Sequence, residues 1–271
     1  MAVIKFDKVE QISNMLDVEM IEYGLFCGND WKYTDLKAPF TRLYIIFEGE
    51  AVVLLDQKKI HLKQGNAYVI PSNMNFSCYT PIHMKKLYVH FTCKQWAHTN
   101  LFDQVHEVIS KSIDVMAYEP FIPILESEHI KDYWFVKGGV LQLIYQFIGS
   151  LDLGLFDEMN DHRTPELIAL YNILKRGISA KTRTSDLADE MKMSQSMLSK
   201  LYKSATGMSL KHYMQLQLME QAQMLLISTN KSIKEIAGEL QYEDALYFTR
   251  VFHHWVGEAP SKYKERNRIG K

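Results

Sequence analysis

Ser232-Ile233-Lys234-Glu235-Ile236-Ala237-Gly238-Glu239-Leu240-Gln241-Tyr242-Glu243-Asp244-Ala245-Leu246-Tyr247-Phe248-Thr249-Arg250-Val251-Phe252 is the stretch from which the fold of this 271-residue chain is read. Ser232 with Glu235 three residues on is a capping box, which opens a helix by satisfying free backbone N–H groups. Ile236, Ala237 and Leu240 fall on one inner face, and Gln241-Tyr242 turns the chain. A second helix is expected from Glu243 to about Trp255, burying Phe248, Val251, Phe252 and Trp255. Its outward positions are Ala245, Leu246, Thr249, Arg250 and His253. A short helix, a tight turn and a second helix form a helix-turn-helix.

The same plan stands upstream. Thr184-Ser185-Asp186-Leu187-Ala188-Asp189-Glu190-Met191 reads as a helix opened by Ser or Thr, with Leu187, Ala188 and Met191 inward. Lys192-Met193 turns the chain, and Ser194 caps a helix from Gln195 to about Ala205 with Met197, Leu198, Leu201 and Tyr202 inward. Gln195, Ser196, Ser199, Lys200 and Lys203 point outward. Gln and Ser can hydrogen-bond base edges, and Lys can reach guanine or phosphate. The same residues would equally serve as a solvated helix face. Between the units, Leu210 to Ile227 is an unbroken helix-favouring run, spanning roughly 27 Å at 1.5 Å per residue. Two reading helices held about 34 Å apart would enter successive major grooves on one face of DNA.

The charge balance points the same way. The chain carries 31 Lys+Arg and 32 Asp+Glu. Residues 1–159 hold 14 basic and 20 acidic side chains, and residues 160–271 hold 17 and 12, so −6 stands beside +5. A basic C-terminal part beside an acidic N-terminal part suits a polyanion-binding module joined to something else. No run of 18 or more apolar residues occurs, so no membrane span is expected. The start, Met1-Ala2-Val3-Ile4-Lys5-Phe6-Asp7, lacks an apolar core and cleavage site, so a cytoplasmic protein is expected. Cys27, Cys78 and Cys93 are odd in number and form no C-x-x-C, so neither a disulfide framework nor a zinc site is implied.

The N-terminal half reads differently. Arg42 to Phe47, Ala51 to Leu55, Ala67 to Ile70 and Lys86 to Phe91 are short β-rich runs, punctuated by Gly49, Asp56, Gly65-Asn66 and Pro71-Ser72-Asn73. Three pairs share a strand face and make aromatic surfaces with polar tips, fit for a polar organic ligand: Trp31 with Tyr33, Arg42 with Tyr44, and Tyr88 with His90. They would fit an outer sheet face or a dimer contact as well. Leu101, Val105, Val108, Ile109 and Ile113 fit an amphipathic helix, as do Phe135, Val136, Val140, Leu143, Ile144, Phe147 and Ile148 despite Gly138-Gly139. The latter helix would serve as a dimer seam or as packing against the sheet. A polar stretch ending in Pro165 marks the linker. The expected organisation is 1–156, a linker over 157–165, and 166–271.

Phe47-Glu48-Gly49, Leu62-Lys63-Gln64-Gly65-Asn66 and Ile70-Pro71 resemble the cupin-like sensor domain of many bacterial regulators. Enzymatic cupins hold a metal through an H-x-H pair, which this chain lacks: His61, His83 and His90 are isolated. Neither a metal, a cofactor nor an enzyme is therefore expected.

At the other end, Leu187-Ala188, Met193-Ser194, Leu198-Ser199-Lys200-Leu201-Tyr202-Lys203, Thr206-Gly207-Met208-Ser209 and Tyr213 resemble the first unit of AraC/XylS-type bacterial transcription regulators. Ala222, Leu225-Leu226, Ile233, Glu235-Ile236-Ala237, Tyr242, Tyr247 to Phe252, Gly257, Pro260 and Tyr263 resemble the second. The sequence departs from that pattern at Leu218, where a basic residue is common, and at Gln241, Ala259 and His253. Gln241 replaces a glycine at a turn where φ > 0 is easier for Gly.

The resemblance implies an α+β chain, with an N-terminal cupin-like β-barrel bearing appended helices and a C-terminal all-α domain with two helix-turn-helix units. It further implies double-stranded DNA and a small-molecule effector as partners, contact with RNA polymerase, a homodimer, and activation of transcription. A second reading keeps the DNA-binding half and makes the barrel a ligand-free dimerisation or protein-interaction scaffold.

Overall fold

A computed structural model of the chain describes residues 16–55, 58–95, 100–127, 130–151 and 164–267. The chain divides into two compact units, Met1–Leu153 and Gly154–Lys271. The architecture is α+β, a sheet-rich N-terminal unit followed by an all-helical C-terminal one.

In the first unit the strands are β1 (Leu16–Gly28), β2 (Lys32–Leu36), β3 (Thr41–Leu55), β4 (Lys58–Lys63), β5 (Asn66–Ile70), β6 (Phe76–Tyr79), β7 (Met84–Gln95) and β8 (Ile109–Ser112). All pairings are antiparallel, in the order β1-β7-β3-β5-β8, with β4 and β6 on β3 and β2 on β6. β3 belongs to both halves of this arrangement. Thr41 to Gly49 pairs with β7 and in part with β5, and Glu50 to Leu55 pairs with β4 and β6. The strand changes partners at Gly49, whose φ is +73° and where a Cβ would stand 1.9 Å from the His83 carbonyl oxygen. Only glycine fits there. The two halves share one buried cluster that includes Trp31, Tyr44, Ile46, Val53, Phe76 and Met84.

The helix expected over Leu101 to Ile113 does not form. Leu101–Gln104 is a single 3-10 turn capped by Asn100, and Ile109–Ser112 is β8, paired with β5. The apolar spacing is also compatible with alternation: Ile109 and Lys111 are half-buried, Ser110 and Ser112 exposed. The open edge of β5 satisfies the backbone of this segment, and that decides between the two periods. The helix expected around Phe135 to Ile148 does form. After α1 (Phe121–Glu126), α2 runs Ile130–Ile148 and buries Val136, Val140, Leu143, Ile144, Phe147 and Ile148, but Phe135 is 58% exposed. Phe135 meets Phe121 edge-on from the rim of that stripe. Gly139 lets α2 approach α1 closely, since a Cβ there would lie 2.3 Å from the Phe121 ring.

The second unit holds α3 (Pro165–Leu174), α4 (Thr184–Glu190), α5 (Gln195–Thr206), α6 (Leu210–Ser228), α7 (Ile233–Glu239), α8 (Ala245–Val256) and α9 (Pro260–Asn267). Pro165 sits in the first turn of α3, and Thr164 caps it. α6 is the axis, because helices of both helix-turn-helix units pack against it. It is accordingly buried nearly all round, at Leu210, Tyr213, Met214, Leu218, Ala222, Leu226 and others. Leu218, the departure from the family's basic residue, is one of these buried positions. Among the described residues no helix is long and apolar enough to cross a membrane. Positions 157–163 of the expected linker lie outside the described residues.

Candidate nucleic-acid interface

α4 with α5 and α7 with α8 are the two helix-turn-helix units. Their turns are the same motif. The Met193 N–H donates to the Ala188 carbonyl and the Lys192 N–H to that of Asp189; Tyr242 and Gln241 do the same to Ala237 and Gly238. This paired bonding is the Schellman arrangement, whose central residue is left-handed and most often Gly. Here Lys192 (φ +54°) and Gln241 (φ +61°) occupy it. Gln241 thus takes the conformation that its missing glycine would have made easy.

Ser194 caps α5 by accepting from the Met197 N–H, and Asp244 caps α8 by accepting from the Tyr247 N–H. Both helices end at a left-handed glycine, Gly207 and Gly257. α7 begins with the expected capping box: Ser232 Oγ accepts from the Glu235 N–H and the Glu235 carboxylate accepts from the Ser232 N–H. α4 starts at Thr184, and its cap is Arg183, which makes no side-chain cap bond.

Gln195, Ser196, Ser199, Lys200 and Lys203 are all exposed on α5. Gln195 is partly engaged, since its amide donates to Thr184 Oγ1 at 2.7 Å and ties α5 to α4. Met197, expected inside, is 58% exposed and adds an apolar group to this face, while Leu198 and Tyr202 are buried. One turn of helix brings only a stripe to the core, and Leu198 and Tyr202 already fill it. On α8, Leu246, Arg250 and His253 are exposed, and Ala245 and Thr249 are half-buried. The Thr249 hydroxyl donates to the Ala245 carbonyl at 2.7 Å. Leu246 is 77% exposed, and Tyr247 beside it carries the Arg250 guanidinium 5.9 Å from its ring centroid. Behind this face, Phe248 and Phe252 are fully buried, with Tyr263 of α9 packed on Phe252. Val251 and Trp255 are only half-buried.

The residues expected to meet a ligand in the N-terminal unit come together. Cross-strand pairing sets Arg42 opposite His90 and Tyr44 opposite Tyr88, and on the other side of β7 sets Glu22 opposite His90. Arg42, Tyr44 and His90 are fully buried, Trp31 is buried just before β2, and Tyr33 and Tyr88 are half-buried. Trp31 and Tyr44 meet edge-on at 5.6 Å, and the Arg42 guanidinium lies 4.7 Å and 5.0 Å from the Phe40 and Phe76 rings. His90 stacks on Phe40 and its Nδ1 is 3.2 Å from Glu22 Oε2. Burial pushes the His90 pKa down to about 4, against the opposing pull of Glu22, so the ring is neutral near pH 7 and donates to the carboxylate.

Sequence reasoning missed Lys86, which projects into this group with its Nζ 3.4 Å from the Trp31 ring centroid and 3.8 Å from that of Tyr44. Strand alternation was the available signal, because Lys86, Tyr88 and His90 share one face of β7. A cavity of about 1010 Å³ opens nearby in the chain, lined among others by Leu55, Ile60, His61, Met74, His106 and Val108. No group of three or more His, Cys, Asp or Glu suited to a metal occurs among the described residues.

Residues 187–266 match the family described as "Helix-turn-helix domain". The Msm operon regulatory protein of Streptococcus mutans is 21% identical over 273 residues, covering 93% of this chain and 94% of that protein. The HTH-type transcriptional activator RhaR of Pectobacterium carotovorum is 34% identical over 101 residues, 37% of this chain and 36% of that protein. Among solved structures, fatty-acid-bound ToxT of Vibrio cholerae is 13% identical, covers 95% of this chain and 98% of that one, and has a TM-score of 0.47. The first two are named as an operon regulatory protein and a transcriptional activator. With paired helix-turn-helix units built around one central helix, and with the family match lying across both, the C-terminal unit is a helix-turn-helix domain of the kind that AraC/XylS-type DNA-binding transcription regulators carry.

Proposed function

We propose that the chain is a cytoplasmic, non-enzymatic activator whose N-terminal domain (1–156) has a cupin-like role as effector sensor. Through a linker at 157–165 it controls a DNA-binding domain at 166–271. α5 and α8 are the reading helices. Gln195, Ser196, Ser199, Lys200 and Lys203 supply base and phosphate contacts from the first, and Ala245, Leu246, Thr249, Arg250 and His253 from the second. The observation that carries this reading is the repeated Schellman turn, which sets both helices on their partners in one geometry. A single recognition helix would not need the duplication.

Selection of DNA sites from a random pool with the full-length protein tests it. Two short conserved blocks about 10–10.5 base pairs apart are expected. One block only, or affinity that hardly falls with salt, would count against two phosphate-anchored reading helices.

Effector sensing is supported by the buried Arg42, Tyr44 and His90 with the half-buried Tyr88 beside them, polar groups that a purely structural core has no need of. The scaffold reading draws on the aromatic and Met filling of the same interior, Trp31, Phe76 and Met84. Both readings accommodate a homodimer through α2, whose Trp134 and Tyr145 are exposed opposite its buried stripe. Sedimentation as a monomer at micromolar concentration, with and without DNA, would exclude it. Contact with RNA polymerase completes the activator reading.

A further inference from the structure

Lys86 is the one strongly basic side chain of β7 that burial almost wholly removes from water, at 2% exposure. It does not stand alone. β1, β7 and β3 carry Glu22, His90 and Arg42 side by side, then Tyr88 and Tyr44, then Phe26, Lys86 and Ile46. Ionisable groups therefore line three adjacent strands in register. Leu or Met at these places would fill the space without the desolvation cost of an ion. The acid of the group, Glu22, is taken up by His90 Nδ1 at 3.2 Å and the Tyr88 hydroxyl at 3.5 Å. Among the described residues no carboxylate pairs with Lys86, and its Nζ rests on the Trp31 and Tyr44 rings.

Lys and Arg side chains offer donors and no acceptor. A neutral polyol needs both, whereas a carboxylate or a phosphate monoester presents acceptors alone and carries a negative charge of its own. We propose that the interior of the N-terminal domain binds a small organic anion, its anionic oxygens held by Lys86 Nζ and the Arg42 guanidinium and its body packed on Trp31 and Tyr44. This rests on the effector reading and names the chemical class of the effector. The large cavity lies against this interior, since its apolar lining residues Leu55, Ile60, Met74 and Val108 pack on the same buried cluster as Trp31 and Tyr44.

The site is coupled to protons. Burial, with the Arg42 charge adding to it and Cys78 opposing, holds the Lys86 pKa well below the ordinary lysine value. A bound anion favours the charged form and raises the pKa again, so binding takes up a proton wherever the pH lies between the free and the bound value.

The test uses full-length wild-type protein and Lys86→Met, with acetate, benzoate, inorganic phosphate and glucose 6-phosphate as anionic probes. Benzyl alcohol and glucose serve as neutral probes, all at matched ionic strength. Anionic probes are expected to raise Tm by a few degrees in the wild type, and to bind Lys86→Met about tenfold more weakly or worse. Comparison of benzoate with glucose 6-phosphate tells carboxylate from phosphate. Calorimetry in buffers of different ionisation enthalpy should show proton uptake by the wild type, a readout that stands even if Lys86→Met fails to fold. Binding of a neutral probe equally to both proteins, with no response to anions, overturns the proposal and leaves the effector reading intact. Indifference to every probe overturns the anion site and favours the scaffold reading.

Discussion

Lys192 in the first helix-turn-helix unit and Gln241 in the second stand at one place in one turn, both left-handed and both in a Schellman motif. From there the units diverge. The second carries one residue more, Glu243, before its reading helix, and caps that helix with the carboxylate of Asp244 instead of the hydroxyl of Ser194. The first presents Ser196, Ser199, Lys200 and Lys203 from a helix end without a fixed negative charge. The second presents Leu246 and Arg250 beside an acid, and its core is a run of aromatic contacts from Tyr242 through Phe248 and Phe252 to Tyr263. A duplicated plan thus fixes backbone geometry while leaving chemistry free. On the proposed function, the first unit would serve hydrogen-bond readout, and the second anchoring and apolar contact.

The largest expected effect lies in the cores. Phe252 is fully buried between Phe248 and Tyr263, and Phe252→Ala should destabilise the DNA-binding unit by about 3–5 kcal/mol. Leu198→Ala, at the place in α5 that Phe248 holds in α8, should cost about 2–5 kcal/mol, toward the lower end because a smaller side chain is lost. Denaturant titration without DNA measures both. A Leu198→Ala loss as large as that of Phe252→Ala would remove the asymmetry of the cores.

Next come the reading faces. Lys200→Ala should cost about 1–3 kcal/mol in binding and relax preference at particular base pairs. Arg250→Ala should weaken binding to all sites alike and lower the salt slope by about one. Leu246→Ala should matter only where thymine supplies a methyl group, since that is the apolar feature of the major groove. Replacing thymine by deoxyuracil in the selected site checks this, because the wild type should lose affinity and Leu246→Ala should not. The opposite pattern for Lys200 and Arg250 would invert the proposed division of labour.

The C-terminal half was the more legible in sequence because its signals are local. The capping box, the helix stripes and the turns depend on residues a few positions apart, and they fall where Ser232, Glu235, Gln241 and Ser194 lead one to expect. The local signals failed where two neighbours compete for one place: Met197 is displaced outward by Leu198 and Tyr202, and the cap at Arg183 lies one residue before the Thr. In the N-terminal half the deciding partners are distant in sequence. Nothing near Ile109 reveals the free edge of β5 that makes it a strand. The interior was half legible. Arg42, Tyr44, Tyr88 and His90 follow from alternation, but Lys86, two residues before Tyr88 on the same face, runs against the rule that lysines are seldom buried.

The shared turn offers a direct comparison of smaller size. A non-glycine residue in the left-handed region costs about 1–2 kcal/mol, and glycine gives back part of the gain through the greater freedom of the unfolded chain. Gln241→Gly and Lys192→Gly should each stabilise the unit by about 0.5–1 kcal/mol, visible as a small rise in Tm. Stabilisation by one and not the other would show that the extra residue after Tyr242 changes the strain in the second turn.

The caps give the smallest effect and the cleanest asymmetry. α7 has its full capping box, so Ser232→Ala should cost about 1 kcal/mol. α4 has the cap geometry without the cap: Arg183 is extended, at φ −109° and ψ 144°, and Asp186 stands three residues on. Arg183→Ser places a hydroxyl where the backbone already waits for one and should gain about 0.5–1 kcal/mol. Stability measured without DNA isolates this from any phosphate contact the arginine makes. If Arg183→Ser brings no gain, the start of α4 is held by its packing on α5, through the Gln195 to Thr184 bond, and the first unit does not need the cap that the second one has.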